Sequence, residues 1–152
     1  MNVRLEVNSS LDKDTIIIEC NEITSDVEQI RNYILSKENF LVGKLDDRIH
    51  KLSPADIYYF ESVDERVFAC TKSAVYEIKS RLFELESMLA DSGFLRCSKS
   101  MLLNIYLTES FSPALNGRFY AHLKNGEKLI VSRKYVPDFK RMLLGAKKGR
   151  NE

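Results

Sequence analysis

The chain is short of the features that announce most chemistries. It has no long apolar run: "MLLNIYL", Met101–Leu107, is typical of its greasiest stretches, and a membrane-spanning helix needs roughly 20 such residues. The opening "MNVRLEVNSS" holds no apolar core of a signal peptide, so a cytoplasmic location is expected. Cysteine is sparse. Cys20, Cys70 and Cys97 lie far apart with no C-x-x-C pair, which argues against both a disulfide framework and a zinc site. Each reads as a small buried hydrophobe. The six glycines are scattered and form neither G-x-x-x-x-G-K-[ST] nor G-x-G-x-x-G, the loops that cradle phosphates. Two histidines, His50 and His122, lack partners at metal-ligand spacing. No metal and no cofactor are expected, and there is no internal repeat or low-complexity segment.

What is present is enough for one ordinary core. The chain has 152 residues, 44% of them hydrophobic, which supports one domain with a small appendage. The net charge of +1 hides an asymmetry. Residues 1–62 carry 7 Lys and Arg against 12 Asp and Glu, and residues 63–152 carry 16 against 10. A basic C-terminal part suits a polyanion-binding surface, or equally a solvated face.

Residues 1–38 read as a strand–strand–helix unit. "VRLEV" (Val3–Val7) alternates, "TIIIEC" (Thr15–Cys20) is β-prone, and Ser25 with Glu28 makes a capping box ahead of a stripe at Val27, Ile30 and Ile34. From Phe40 the texture changes to short strands and tight turns: "FLVGKL", "RIHKLS", "IYYFES" and "RVFACT". A second helix lies in Ser80–Gly93, striped by Leu82, Leu85 and Leu89, with Gly93 as its C-cap. "MLLNIYLTESF" gives one or two strands. Gly117–Arg133 is the clearest hairpin, with Asn125-Gly126 expected as a type I′ turn. "KYVPDFKRMLL" suggests a short last helix, and residues 146–152 a basic flexible tail.

Catalysis is weakly supported. Arg96 and Lys99 near Cys97 could lower a thiol pKa, but the only bases for a cysteine enzyme, His50 and His122, sit inside predicted hairpins. Polyanion binding fares better. Lys99 lies between Ser98 and Ser100, Arg133 and Lys134 end the best hairpin, and Arg66 opens a strand after the "VDE" turn. Arginine can read guanine in the major groove, while lysine and serine mostly hold phosphates.

Three ordered motifs carry a resemblance. Tyr59-Phe60-Glu61 comes first, then Phe94, Arg96, Ser100 and Asn104, then Ser132, Arg133 and Tyr135. Over about Phe40–Leu144 the chain resembles the LytTR family of bacterial DNA-binding domains. The resemblance implies a mainly β, elongated, layered fold with few helices over residues 39–145. It implies a non-catalytic transcription regulator, related to response regulators, that sets loops into the major groove of double-stranded promoter DNA, often on direct repeats and as a homodimer. The base-reaching positions it implies are Glu65, Lys99 and Arg133, with Arg66, Arg96, Ser98, Ser100 and Lys134 near the phosphates. Glu65 departs from the neutral or basic residue usual there; a carboxylate fits only by accepting from a cytosine amino group. The segment 1–38 is too short for a receiver domain and reads as a dimerisation or partner-docking unit. The rival reading is a β-rich protein-interaction module that kept the fold and lost DNA binding.

Overall fold

The computed structural model describes the backbone of residues 1–38 and 40–151. Helix α1 (Ser25–Glu38) is followed by strands β1 (Leu41–Leu45), β2 (Arg48–Leu52), β3 (Ile57–Val63), β4 (Arg66–Thr71) and β5 (Val75–Ile78), then α2 (Leu82–Met88). Strands β6 (Phe94–Ser98), β7 (Met101–Asn104), β8 (Thr108–Pro113), β9 (Phe119–Leu123) and β10 (Lys128–Val131) lead to the last helix, α3 (Val136–Asn151). The pairing is antiparallel, in a seven-stranded sheet ordered β2-β1-β5-β4-β3-β7-β6 and a three-stranded sheet ordered β10-β9-β8.

Alternation along the central strands sorts the side chains onto two cores. Phe60, Leu102 and Phe94 face one side, where Leu82, Leu85 and Leu89 of the second helical segment cover them. The Phe60 and Phe94 rings lie 5.4 Å apart. Tyr59, Leu103 and Cys97 face the other side, against Ala121, Leu123 and Val131 of the small sheet and Val136 and Phe139 of α3. The large sheet is thus sandwiched, which is why "IYYF" is buried without a break. Tyr59 ties the layers: its hydroxyl donates to Glu127 at 2.9 Å, and burial pushes its pKa up.

Four local readings are corrected. First, residues 3–7 and 15–20 form no strands; the whole of residues 1–23 is exposed and without helix or strand. Alternation chooses a face, but a strand exists only with a ladder partner, and neither sheet edge of this chain is offered to these segments. Second, the cap of α1 is Thr24, not Ser25: Thr24 Oγ1 accepts from the Val27 N–H at 3.3 Å. Third, Asn125 is not left-handed; only Gly126 is, at φ 90. The hairpin closes through a three-residue loop, Lys124–Gly126, in which the Leu123 N–H donates to the Glu127 carbonyl. Fourth, α3 is not short; it runs on to Asn151, into the residues read as a tail.

Candidate nucleic-acid interface

The tip of the β3–β4 hairpin is Asp64-Glu65. Both residues are left-handed, at φ 50 and 65, the geometry whose twist matches the flanking strands. Glu65 and Arg66 are exposed there. Arg66 grips Glu77 of β5 with Nε and Nη2, at 3.1 and 2.5 Å. That pairing holds the Glu77 carboxyl below its ordinary pKa and the Arg66 guanidinium above its own.

The second tip is Lys99-Ser100, between β6 and β7. Ser98 Oγ accepts from the Ser100 N–H at 3.2 Å, and the two hydroxyls lie 3.4 Å apart. Arg96 reaches beneath the tip: Nη1 donates to the Lys99 carbonyl at 2.8 Å and Nη2 to Glu86 of α2 at 3.2 Å. With both ends of its guanidinium engaged, the Arg96 side chain is only 15% exposed, whereas Lys99 stands out in solvent.

The third site follows β10. Ser132 leads a 3-10 turn, Arg133–Tyr135, on which Arg133 and Lys134 are exposed. Two backbone hydrogen bonds then bring all three sites to one end of the molecule. The Ser62 N–H donates to the Ser100 carbonyl at 2.7 Å, and the Ser132 N–H donates to the Cys97 carbonyl at 2.8 Å. Glu65, Arg66, Lys99, Arg133 and Lys134, with Ser98 and Ser100, are thereby neighbours, although they span 70 positions of sequence.

A fourth segment, absent from the sequence reading, joins them. Asn116 and Gly117 are both left-handed, at φ 62 and 74, and a methyl group built on Gly117 would stand 2.8 Å from Cδ of Arg133. The loop at Leu115–Gly117 is thus a floor for the Arg133 stem. The Asn-Gly pair was a visible turn signal, but its contact with Arg133 was not.

Nucleophilic chemistry finds little purchase at this end. Cys97 is fully buried and its thiol is pushed up to about 12, chiefly by burial. Burial also raises the thiol of Cys70, while Cys20 is exposed. His50 packs edge-on against Tyr76, and His122 hydrogen-bonds Ser112 at 2.7 Å on the other sheet. Among the described residues no three His, Cys, Asp or Glu side chains gather as a metal site would require. Iodoacetamide at neutral pH is expected to label Cys20 quickly and Cys70 and Cys97 only on unfolding. Rapid labelling of Cys97 in the folded protein, read by peptide mass, would revive the cysteine-enzyme reading.

Residues 47–144 match the LytTr DNA-binding domain family. The chain belongs to that family. An HTH-type transcriptional regulator of Staphylococcus aureus strain NCTC 8325 is 31% identical over 145 residues, covering 94% of this chain and 98% of its own length. Its counterpart in strain MRSA252 is 30% identical over the same span. A solved LytTr DNA-binding domain, from a methyl-accepting/DNA response regulator of Bacillus cereus, superposes with a TM-score of 0.65 at 24% identity. It covers 68% of this chain and 95% of that domain, and it confirms the mainly β fold. Despite the label those relatives carry, no two α-helices adjoin along the described part of this chain. No helix of the described structure is long and apolar enough to cross a membrane.

Proposed function

We propose that this chain, a DNA-binding transcriptional regulator, meets duplex DNA with the end of the large sheet that carries Lys99 and Arg133. The observation that supports this is the pair of backbone hydrogen bonds, Ser62 to Ser100 and Ser132 to Cys97, which gathers the separate basic tips. Lys99 and Arg133 enter the major groove and reach base edges. Lys134, Arg66, Ser98 and Ser100 hold phosphates, which fixes register without reading sequence. Arg66 exchanges Glu77 for a phosphate on binding. Arg96 acts from beneath, holding the Lys99 turn open through its carbonyl. Glu65 is accommodated where a cytosine amino group donates to it.

The reaction is binding alone, without catalysis, in the cytoplasm where bacterial promoters are. Two copies occupy one promoter, on direct repeats, and residues 1–38 serve as the pairing or docking unit. The rival, a protein-interaction module, draws support from Glu65 and from the Arg66–Glu77 pair, which neutralises one basic site.

Fluorescence anisotropy with duplex DNA at two salt concentrations separates the two. With the four cations Lys99, Arg133, Lys134 and Arg66 brought against the DNA, affinity should fall on the order of 10²-fold between 50 and 200 mM salt. Absence of binding at low salt would favour the protein-interaction module. Gly117→Ala should lower DNA affinity several-fold by re-aiming Arg133. Gly126→Ala is the control, because Gly126 has a similar φ of 90 with nothing within 4 Å; it carries the backbone strain without the displaced arginine. Equal affinity losses from the two variants would show that the loop does not position Arg133.

A further inference from the structure

We infer that the arm Val3–Val7 is a self-association element, which pairs antiparallel with the same arm of a second copy about a two-fold axis through Leu5. Within one chain this arm is an anomaly. Val3, Leu5 and Val7 are 92, 91 and 93% exposed, and the segment makes no ladder with either sheet. It nevertheless has the composition of a strand, with apolar residues on one face and Arg4 and Glu6 on the other. A partner is missing, and the sequence of the arm is its own complement.

Antiparallel pairing centred on Leu5 sets Val3 opposite Val7 of the second copy, Leu5 opposite Leu5, and Arg4 opposite Glu6. Directly opposed side chains interact across such a ladder, and opposite charges there are favourable. Within one copy Arg4 and Glu6 form an exposed pair at 3.0 Å, which is worth little. The two-fold pairing instead makes two cross-strand ion pairs beneath one continuous apolar face. A two-stranded ribbon by itself is marginal in water. Here the chain reverses directly after the arm, where the Ser10 N–H and Oγ both reach Asn8 Oδ1, at 3.1 and 2.6 Å. The next segment, Thr15–Cys20, presents Ile16 and Ile17 at 67 and 78% exposure. It supplies an outer strand on each side, giving four in all.

With Thr15–Cys20 drawn into the ribbon, residues 21–23 of each copy remain as the linker to α1; they hold no helix or strand, and three residues span about 10 Å. The aligned length shared with the Staphylococcus aureus regulators extends well beyond residues 47–144, so most of the segment before the domain is shared with them.

The test is sedimentation of the full chain without DNA, so its outcome is independent of the DNA-binding reading. The wild type should dimerise. Arg4→Glu, which sets like charges opposite each other twice, should weaken the dimer about tenfold or more. The swap Arg4→Glu with Glu6→Arg should restore it. In a Cys20→Ser background, Leu5→Cys places two thiols across the axis with Cβ atoms about 4.5–5.5 Å apart, and mild oxidation should link the copies covalently. Ser10→Cys, off the axis, should not link. A monomeric wild type at the highest soluble concentration overturns the inference. So does a dimer indifferent to Arg4→Glu, and a swap that fails to restore association overturns the register.

Discussion

Arg133→Ala is expected to weaken binding to a specific duplex by roughly 5- to 150-fold, or about 1–3 kcal/mol. The side chain is exposed, and its stem lies over Gly117, so its removal leaves no cavity in either core. Thermal unfolding should therefore be almost unchanged, and the loss belongs to the complex. A guanidinium that meets guanine bidentately loses two hydrogen bonds on truncation and leaves O6 and N7 unpaired in a desolvated groove. Lys99→Ala should cost a similar or smaller factor, because an ammonium is a point charge without the fork. The two positions are linked by the Ser132–Cys97 hydrogen bond, so their losses need not add. Electrophoretic shift or anisotropy on a selected promoter fragment is the measurement. A Lys99→Ala, Arg133→Ala protein that binds as well as the wild type would remove this end of the sheet from consideration.

Asn104→Ala should be the most damaging single truncation of a polar side chain, at about 2–4 kcal/mol of folding stability. Asn104 is only 1% exposed. Its Nδ2 donates to the Ile57 carbonyl at 2.8 Å, and its Oδ1 accepts from the Tyr106 N–H at 2.9 Å. Alanine leaves both backbone groups without a partner, one at the start of β3 and one in the turn that leads to β8. For a chain of this length the midpoint should fall by about 5–15 °C. Asn104→Asp should fare no better at neutral pH, since a carboxylate cannot donate to Ile57 and would be a buried charge. A fall under about 1 kcal/mol would mean that water or a local shift satisfies both groups. The result bears on function as well, because β7 springs directly from the Lys99 turn.

Both residues were visible in the sequence, but for different reasons. Arg133 ended a hairpin whose alternation was plain, and exposure follows for a charged residue at a strand end. Asn104 stood last in a spaced motif, after Phe94, Arg96 and Ser100, and its structural role follows from geometry the motif only implies. Arg96 was placed near the DNA backbone by resemblance. Its position beneath Lys99 depends on Glu86, ten residues away on another element. The contact between Gly117 and Arg133 was likewise out of reach, since nothing in either local segment refers to the other.

The sequence by itself determined the local elements of the domain, from the strands between Leu41 and Val131 to the leucine-striped helix. Alternation of period two, leucines at helical spacing and turn residues are short-range physics, and each acts within a few residues. It also determined which residues were basic and exposed. Only the tertiary structure decided that the basic tips share one end, because that rests on two backbone hydrogen bonds, Ser62 to Ser100 and Ser132 to Cys97, between residues more than 30 positions apart. The same physics explains the failed strands at 3–7 and 15–20. Their pattern was correct for a strand, but a strand is completed by its neighbour, and among the described residues of one copy neither segment joins a ladder.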